Sequence, residues 1–146
     1  MYIFDNKEMT SKEILDCISS NRYKIEDLYL GLKNMNYSDI LRLRIDSLVF
    51  NRYVEAARLN QVLSFLIKIN VHKLKRDISL MEDTSYLDYY DLRLLTEMRD
   101  ALKTSKGKVS SEALDVVNDV IRKRKVRHDI RRYSQTDPNE KSACNA

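Results

Sequence analysis

Seven Lys or Arg crowd into the eleven residues Arg122–Arg132: Arg122, Lys123, Arg124, Lys125, Arg127, Arg131 and Arg132. Cations at that density neutralise phosphates and release condensed counterions, which holds a nucleic acid without reading its sequence. The competing reading is a solvated helix end, because cations near a helix C-terminus are favourable in any case. The density favours a phosphate-binding arm. A membrane surface fits poorly, since Val126 and Ile130 are too few apolar residues to insert.

Other residue types offer less. His72 and His128 each stand without a second His, Cys or carboxylate at metal-ligand spacing, so neither suggests zinc. Cys17 and Cys144 are too far apart to form a disulfide framework or a metal spacing. Two glycines in 146 residues leave no room for a phosphate-cradling loop. The carboxylates lie among lysines, as on any wet helix face. The chain is therefore expected to be no enzyme, with no metal, no cofactor and no small-molecule substrate.

The elements that must position these residues are helices. Two Gly and one Pro are scarce turn chemistry, so hairpins and β-sandwiches are poorly supported and an all-α domain is favoured. The net charge of +4 is uneven: from Arg122 onward eight Lys or Arg face three Asp or Glu, leaving residues 1–121 at −1. This divides the chain into a helical domain (1–121), a basic helical extension (122–133) and a disordered tail (134–146) with almost nothing to bury. No stretch approaches the ~20 apolar residues of a membrane span, and no signal-peptide core opens the chain. A reducing, intracellular setting follows, cytoplasmic or, in a eukaryote, nuclear.

The stretch 39–82 organises the rest. Apolar residues recur there mostly at steps of three and four, through Leu41, Ile45, Leu48, Tyr53, Ala56, Leu59, Leu63, Leu66, Leu74, Ile78 and Met81. An unbroken helix would be roughly 65 Å long, too long for so small a domain. The helix must project or break, and the weak helix formers Asn70-Val71-His72 mark the expected break. A helical bundle built around this long helix is the expected fold.

Shorter helices flank it. Thr10 and Glu13 have capping-box spacing ahead of Ile14, Leu15 and Ile18. Ile25, Leu28, Tyr29, Leu32 and Met35 mark a second helix, and Asn36 or Ser38 caps the long one. Asp88 is the expected cap and Asp91 a first-turn residue of a fourth helix that ends near Lys103 and Gly107, and Ser110 or Ser111 caps a fifth. Tyr2, Ile3 and Phe4 form a lead that can tuck against the domain.

The long helix is apolar on more than one side, which suits packing against a partner protein or a second copy. Candidate interface residues are Arg44, Phe50, Tyr53, Arg58 and Phe65, with Tyr86, Tyr89 and Tyr90 at the start of the fourth helix. Arg42, Arg44, Arg52 and Arg58 are expected to pair with the acidic fourth helix or with another subunit.

Three segments carry a resemblance to a known family. IEDLYLGLK is a first helix with a tyrosine, DILRLRIDSLVFNRYVEAARLN a long helix with repeated Arg, and LDYYDLRLLTEMRDAL an acidic, Leu-rich helix. Together, over residues 22–104, they resemble the helical domain of the GINS family, scaffold subunits of the replicative helicase. The chain shows no segment for the small β-domain of most members, and RKRKVRHDIRR is not a family feature. The resemblance implies a non-catalytic subunit of a helical assembly that contacts helicase and replication proteins. The alternative is a small nucleic-acid-binding regulator, of viral or phage type, working through the basic arm.

Overall fold

The computed structural model describes residues 2–19, 24–32 and 35–144, with side chains described as far as 127 except at 25 and 26. Among these residues a small N-terminal hairpin (β1, Tyr2–Phe4; β2, Lys7–Met9) precedes six α-helices. These are α1 (Ser11–Ser19), α2 (Ile25–Leu32), α3 (Tyr37–Val49), α4 (Tyr53–Ser79), α5 (Leu92–Lys103) and α6 (Lys108–Cys144). A 3-10 turn, Ser85–Tyr89, lies between α4 and α5. The protein is an all-α bundle built around the 27-residue α4. No described helix is long and apolar enough to cross a membrane.

The hairpin departs from expectation. Its two-residue turn, Asp5-Asn6, has φ of 51° and 64°, the left-handed pair that lets two strands keep their natural twist. Asp and Asn tolerate that conformation through local hydrogen bonding, so no glycine was needed to mark it. Phe4 is thereby pushed into the core, and the Asp5 N–H donates to the Gly31 carbonyl at 3.0 Å. A Cβ on Gly31 would lie 2.8 Å from Phe4 Cε2. Gly31→Ala should therefore destabilise by about 1–2 kcal/mol despite alanine's better helix propensity, because overpacking outweighs it. A shifted urea midpoint checks this.

The long apolar stretch is interrupted, but not at the expected place. α4 runs unbroken through Asn70-Val71-His72. The break lies at Phe50-Asn51-Arg52, where Asn51 adopts φ 59°. Asn is the residue that, after Gly, best accepts a left-handed helix end. The Arg52 N–H reaches back to the Ser47 carbonyl (2.7 Å) and the Asn51 N–H to that of Leu48 (3.1 Å), sealing α3. Asn70 instead turns its amide onto the Leu66 carbonyl one turn earlier (2.7 Å), so it sits inside the helix without breaking it.

The break frees α3 to choose its own phase. Its buried residues are Tyr37, Ile40, Leu43 and Ser47; of the expected Leu41, Ile45 and Leu48, Leu41 packs half-buried against the core and the other two are exposed. In α4 the expected stripe holds along the middle, where Ala56, Leu59, Leu63 and Leu74 are buried, but Tyr53 at its start and Met81 beyond its end are exposed.

Two cores are strung along α4. The first joins Phe4, α1, α2, α3 and the start of α4; the second joins Leu74, Leu87, α5 and α6. Leu94 packs against both. At about 1.5–3 kcal/mol per buried large apolar side chain, these clusters dominate the favourable side of folding.

Two of the expected caps form where their spacing places them and two do not. Thr10 and Glu13 exchange backbone-to-side-chain bonds at 3.0 and 3.2 Å. Asn36 accepts from the Asp39 N–H at 2.9 Å, and Asp91, not Asp88, caps α5. Ser110 lies inside the first turn of α6, with its hydroxyl 2.9 Å from that of Ser105. The segment 134–146, expected to be disordered, lies outside the residues whose side chains are described; the α6 backbone runs to Cys144.

Candidate interaction surfaces

The corner between α3 and α4 exposes six apolar side chains in ten residues. Ile45, Leu48, Val49, Phe50, Tyr53 and Val54 are 48–69% exposed. Scattered single apolar residues need no explanation, but a contiguous group marks an interaction site. The corner is also held in shape. The sealed end of α3 fixes its backbone, and the Tyr53 hydroxyl donates to Asn51 Oδ1 at 3.0 Å. Arg52 pairs with Asp16 of α1 at 2.8 Å and with the buried Glu55. Arg44 Nη1 donates to Asn60 Oδ1 at 3.0 Å, tying the two helices side by side.

The periodicity places Ile45 and Leu48 on the inward stripe and leaves Phe50 and Tyr53 as the interface candidates named here. The first two fit an inward stripe only if the helix continues past Asn51. The left-handed Asn is the signal that separates the two phases.

Among the described residues, the ion pairs of Arg42 and Arg52 do not reach the acidic fourth helix. Arg42 pairs with Asp39 (3.6 Å), Arg52 with Asp16 and Glu55, and Arg58 donates to the Ile18 carbonyl (3.2 Å). The reason is topological: α3 and the first half of α4 pack with α1. Of the other predicted interface residues, Phe65 is half-buried, edge-on to Tyr29 with ring centres 5.2 Å apart.

The tyrosine knot divides. Tyr89 is 91% exposed. Tyr86 and Tyr90 are half-buried, with ring centres 5.6 Å apart. The Tyr86 hydroxyl donates to Asp77 Oδ2 at 2.6 Å, and Lys73 Nζ donates to the same oxygen at 2.8 Å while sitting 3.9 Å over the Tyr86 ring. Arg76 adds a weaker contact to Asp77 at 3.4 Å. The Lys73 and Tyr86 bonds hold the Asp77 carboxyl down at about 2. Burial, and then the bond to Asp77, push the Tyr86 phenol up. With every oxygen of Asp77 engaged, the group fastens the 3-10 turn to α4 and leaves no free base.

The basic run is not uniform. Arg122, Lys123, Lys125 and Arg127 are exposed, with Arg122 and Lys123 paired to Asp119. Arg124 is half-buried and donates to the carbonyls of Leu87 (3.2 Å), Asp88 and Tyr90. It follows the inward face of Ala113, Val117 and Ile121. Its donors close the end of the 3-10 turn, so of the described cations in the run it is the one committed to the fold. Arg131 and Arg132 lie outside the residues whose side chains are described, as does His128.

Asp91 joins the two cores. Its Oδ1 accepts from the Arg93 N–H at the start of α5 and its Oδ2 from the Ser38 N–H at the start of α3, both at 2.9 Å. Burial works against its charge, but these bonds and the nearby Arg124 guanidinium outweigh it and hold the carboxyl below the usual range. Beside it, Tyr29, Tyr37, Asn70, Tyr89 and Tyr90 line a cleft of about 280 Å³ along the seam between the cores.

Among the described residues no group of three His, Cys, Asp or Glu is placed to hold a metal ion. His72 is exposed on α4 and Cys17 is half-buried on α1. The chain matches no family model, no curated protein and no solved structure.

Proposed function

We propose that the chain is a non-enzymatic assembly subunit that joins a second copy of itself through the α3–α4 corner. The observation that carries this reading is the exposed, pre-shaped apolar group Ile45, Leu48, Val49, Phe50, Tyr53 and Val54. Large apolar side chains at the centre of a patch supply the energy of association, at about 25 cal/mol per Å² before the costs of ordering. Around them the rim carries both signs, with Arg42 and Arg52 against Asp16 and Asp46. A mixed rim suits a two-fold contact, in which one patch meets itself and opposite charges can face.

The resemblance to the GINS helical domain supports the same class of role. A place in a replication assembly, contacting helicase proteins, is the specific form it would take. The basic run supports a second partner, since Arg122, Lys123, Lys125 and Arg127 are exposed.

Sedimentation velocity tests the assembly reading. The wild type should rise above its 17.3 kDa monomer mass with concentration. Val49→Asp with Phe50→Asp should restore the monomer while leaving the melting transition in place, because both side chains are already exposed. A wild type that stays monomeric at high micromolar concentration overturns the reading.

A further inference from the structure

From Ala56 to Arg76 the chain runs 21 residues without an Asp or Glu, although 22 acids in 146 residues would place about three there. Five cations fall in the same stretch: Arg58, Lys68, Lys73, Lys75 and Arg76. All of it lies on α4, so helical geometry decides how the groups are displayed. At about 100° per residue, Gln61, Ser64, Lys68, His72, Lys75 and Arg76 fall within a sector of about 120°. Five of them are exposed and Lys75 is half-exposed. The buried stripe of Leu59, Val62, Leu63 and Leu74 holds the helix the other way.

Two shallow depressions run along this face and meet at Lys68. One, of about 350 Å³, is lined by Asn60, Gln61, Ser64, Phe65 and Lys68. The other, of about 380 Å³, is lined by Lys68, Ile69, His72, Lys73 and Arg76. Lys73 and Arg76 share Asp77, whereas Lys68 and Lys75 enter no ion pair among the described residues.

We propose that this face of α4 is a binding track for the phosphate backbone of a nucleic acid, separate from the basic run of α6 and from the apolar corner. Lys and Arg, with Ser, Asn and Gln beside them, are the side chains that grip phosphate oxygens and fix register. Here they succeed one another along one helix, and Lys68 to Arg76 spans about 12 Å of axial rise. A protein partner is disfavoured by the sign pattern: protein interfaces set complementary charges against each other, as the corner's mixed rim does, whereas this track is of one sign. A membrane is disfavoured because Phe65 and Ile69, the apolar residues bordering the track, are half-buried and cannot insert. The proposal is independent of self-assembly, since no corner residue lies in the track.

Fluorescence anisotropy with a labelled mixed-sequence DNA duplex, and the RNA duplex of the same sequence, tests it over a salt series. Lys68→Gln with Lys75→Gln should make the slope of log affinity against log salt shallower by about two units on DNA, at roughly 0.9 per phosphate contact. Gln61→Glu with Ser64→Asp, at exposed positions, should weaken binding about tenfold by repulsion and covers the case in which the first variant folds poorly. Val49→Asp with Phe50→Asp, read as a monomer, should bind as the wild type does. Wild-type affinity and slope in both track variants overturn the proposal. So does the absence of duplex binding by the wild type at low salt, or equal competition by polyglutamate of matched charge. Weaker binding by the track variants on one duplex only assigns the track to DNA or to RNA and supports it.

Discussion

Arg124→Ala is expected to cost about 2–3 kcal/mol of stability, while Arg122→Ala and Arg127→Ala each change it by under about 0.5 kcal/mol. All three belong to one basic run, and composition does not separate them. Geometry does. Arg124 donates to three carbonyls at the end of the 3-10 turn, and its charge lies near Asp91. Hydrogen bonds from a charged donor are worth about 1.5–3 kcal/mol, and losing this one takes the guanidinium from three carbonyls, of which that of Leu87 keeps the Tyr90 N–H. Arg122 reaches only Asp119, on the surface, where such pairs contribute about 0–1 kcal/mol. Urea titration of the three single variants decides the matter; equal midpoints would show that the carbonyl contacts hold nothing. It follows that Arg124 is a poor probe of nucleic-acid binding. Weaker binding in an Arg124 variant would mix lost contacts with a loosened fold, so Arg122 and Arg127 are the positions for testing the arm.

This contrast marks how far the sequence reaches. Local features were legible: Thr10 with Glu13 and Asn36 cap where their spacing places them, and the cap of α5 shifts by only three residues, from Asp88 to Asp91. So was the apolar stripe of α4, because one long helix keeps its phase. Features depending on a single backbone angle were not. Asn51 at φ 59° ends α3 and turns Ile45 and Leu48 outward, but an Asn in a helical stretch carries no periodic signal. Asp5-Asn6 makes a hairpin turn that composition argued against. Contacts across the fold were the least legible. Arg124 finds its acceptors 34 to 37 residues earlier in the chain, and nothing in RKRKVRHDIRR distinguishes it from its neighbours. The candidate surfaces divide in the same way: Phe50 and Tyr53, which are exposed, stand out in sequence as candidates, whereas the proposed cationic track on α4 is hidden in sequence by the apolar residues interleaved with it.

Asp91→Ala should cost about 2 kcal/mol at neutral pH, since it removes the N-cap of α5, worth about 1 kcal/mol, and the charged acceptor of the Ser38 N–H in the first turn of α3, which Asn36 still caps. The loss should also depend on pH in a defined direction. The Asp91 carboxyl is held below the usual carboxylate range, which is near 4 in an unfolded chain. A group with a lowered folded pKa stabilises the native state fully above its unfolded value, because protons then favour neither state further. As pH falls the unfolded chain takes up its proton first, and the stabilisation drains away until the folded carboxyl titrates. Asp77, held at about 2 by Lys73 and Tyr86, behaves alike and drains over the window from about pH 4 down to about 2. Wild-type stability should therefore be level near neutrality and fall steeply below about pH 4. Asp91→Ala should fall less steeply, so its urea midpoint approaches that of the wild type in acid. Asp91→Asn keeps one acceptor and should lie between the two at neutral pH. Parallel midpoint curves from pH 7 to pH 3 would mean that the charge on Asp91 is not what joins α3 to α5.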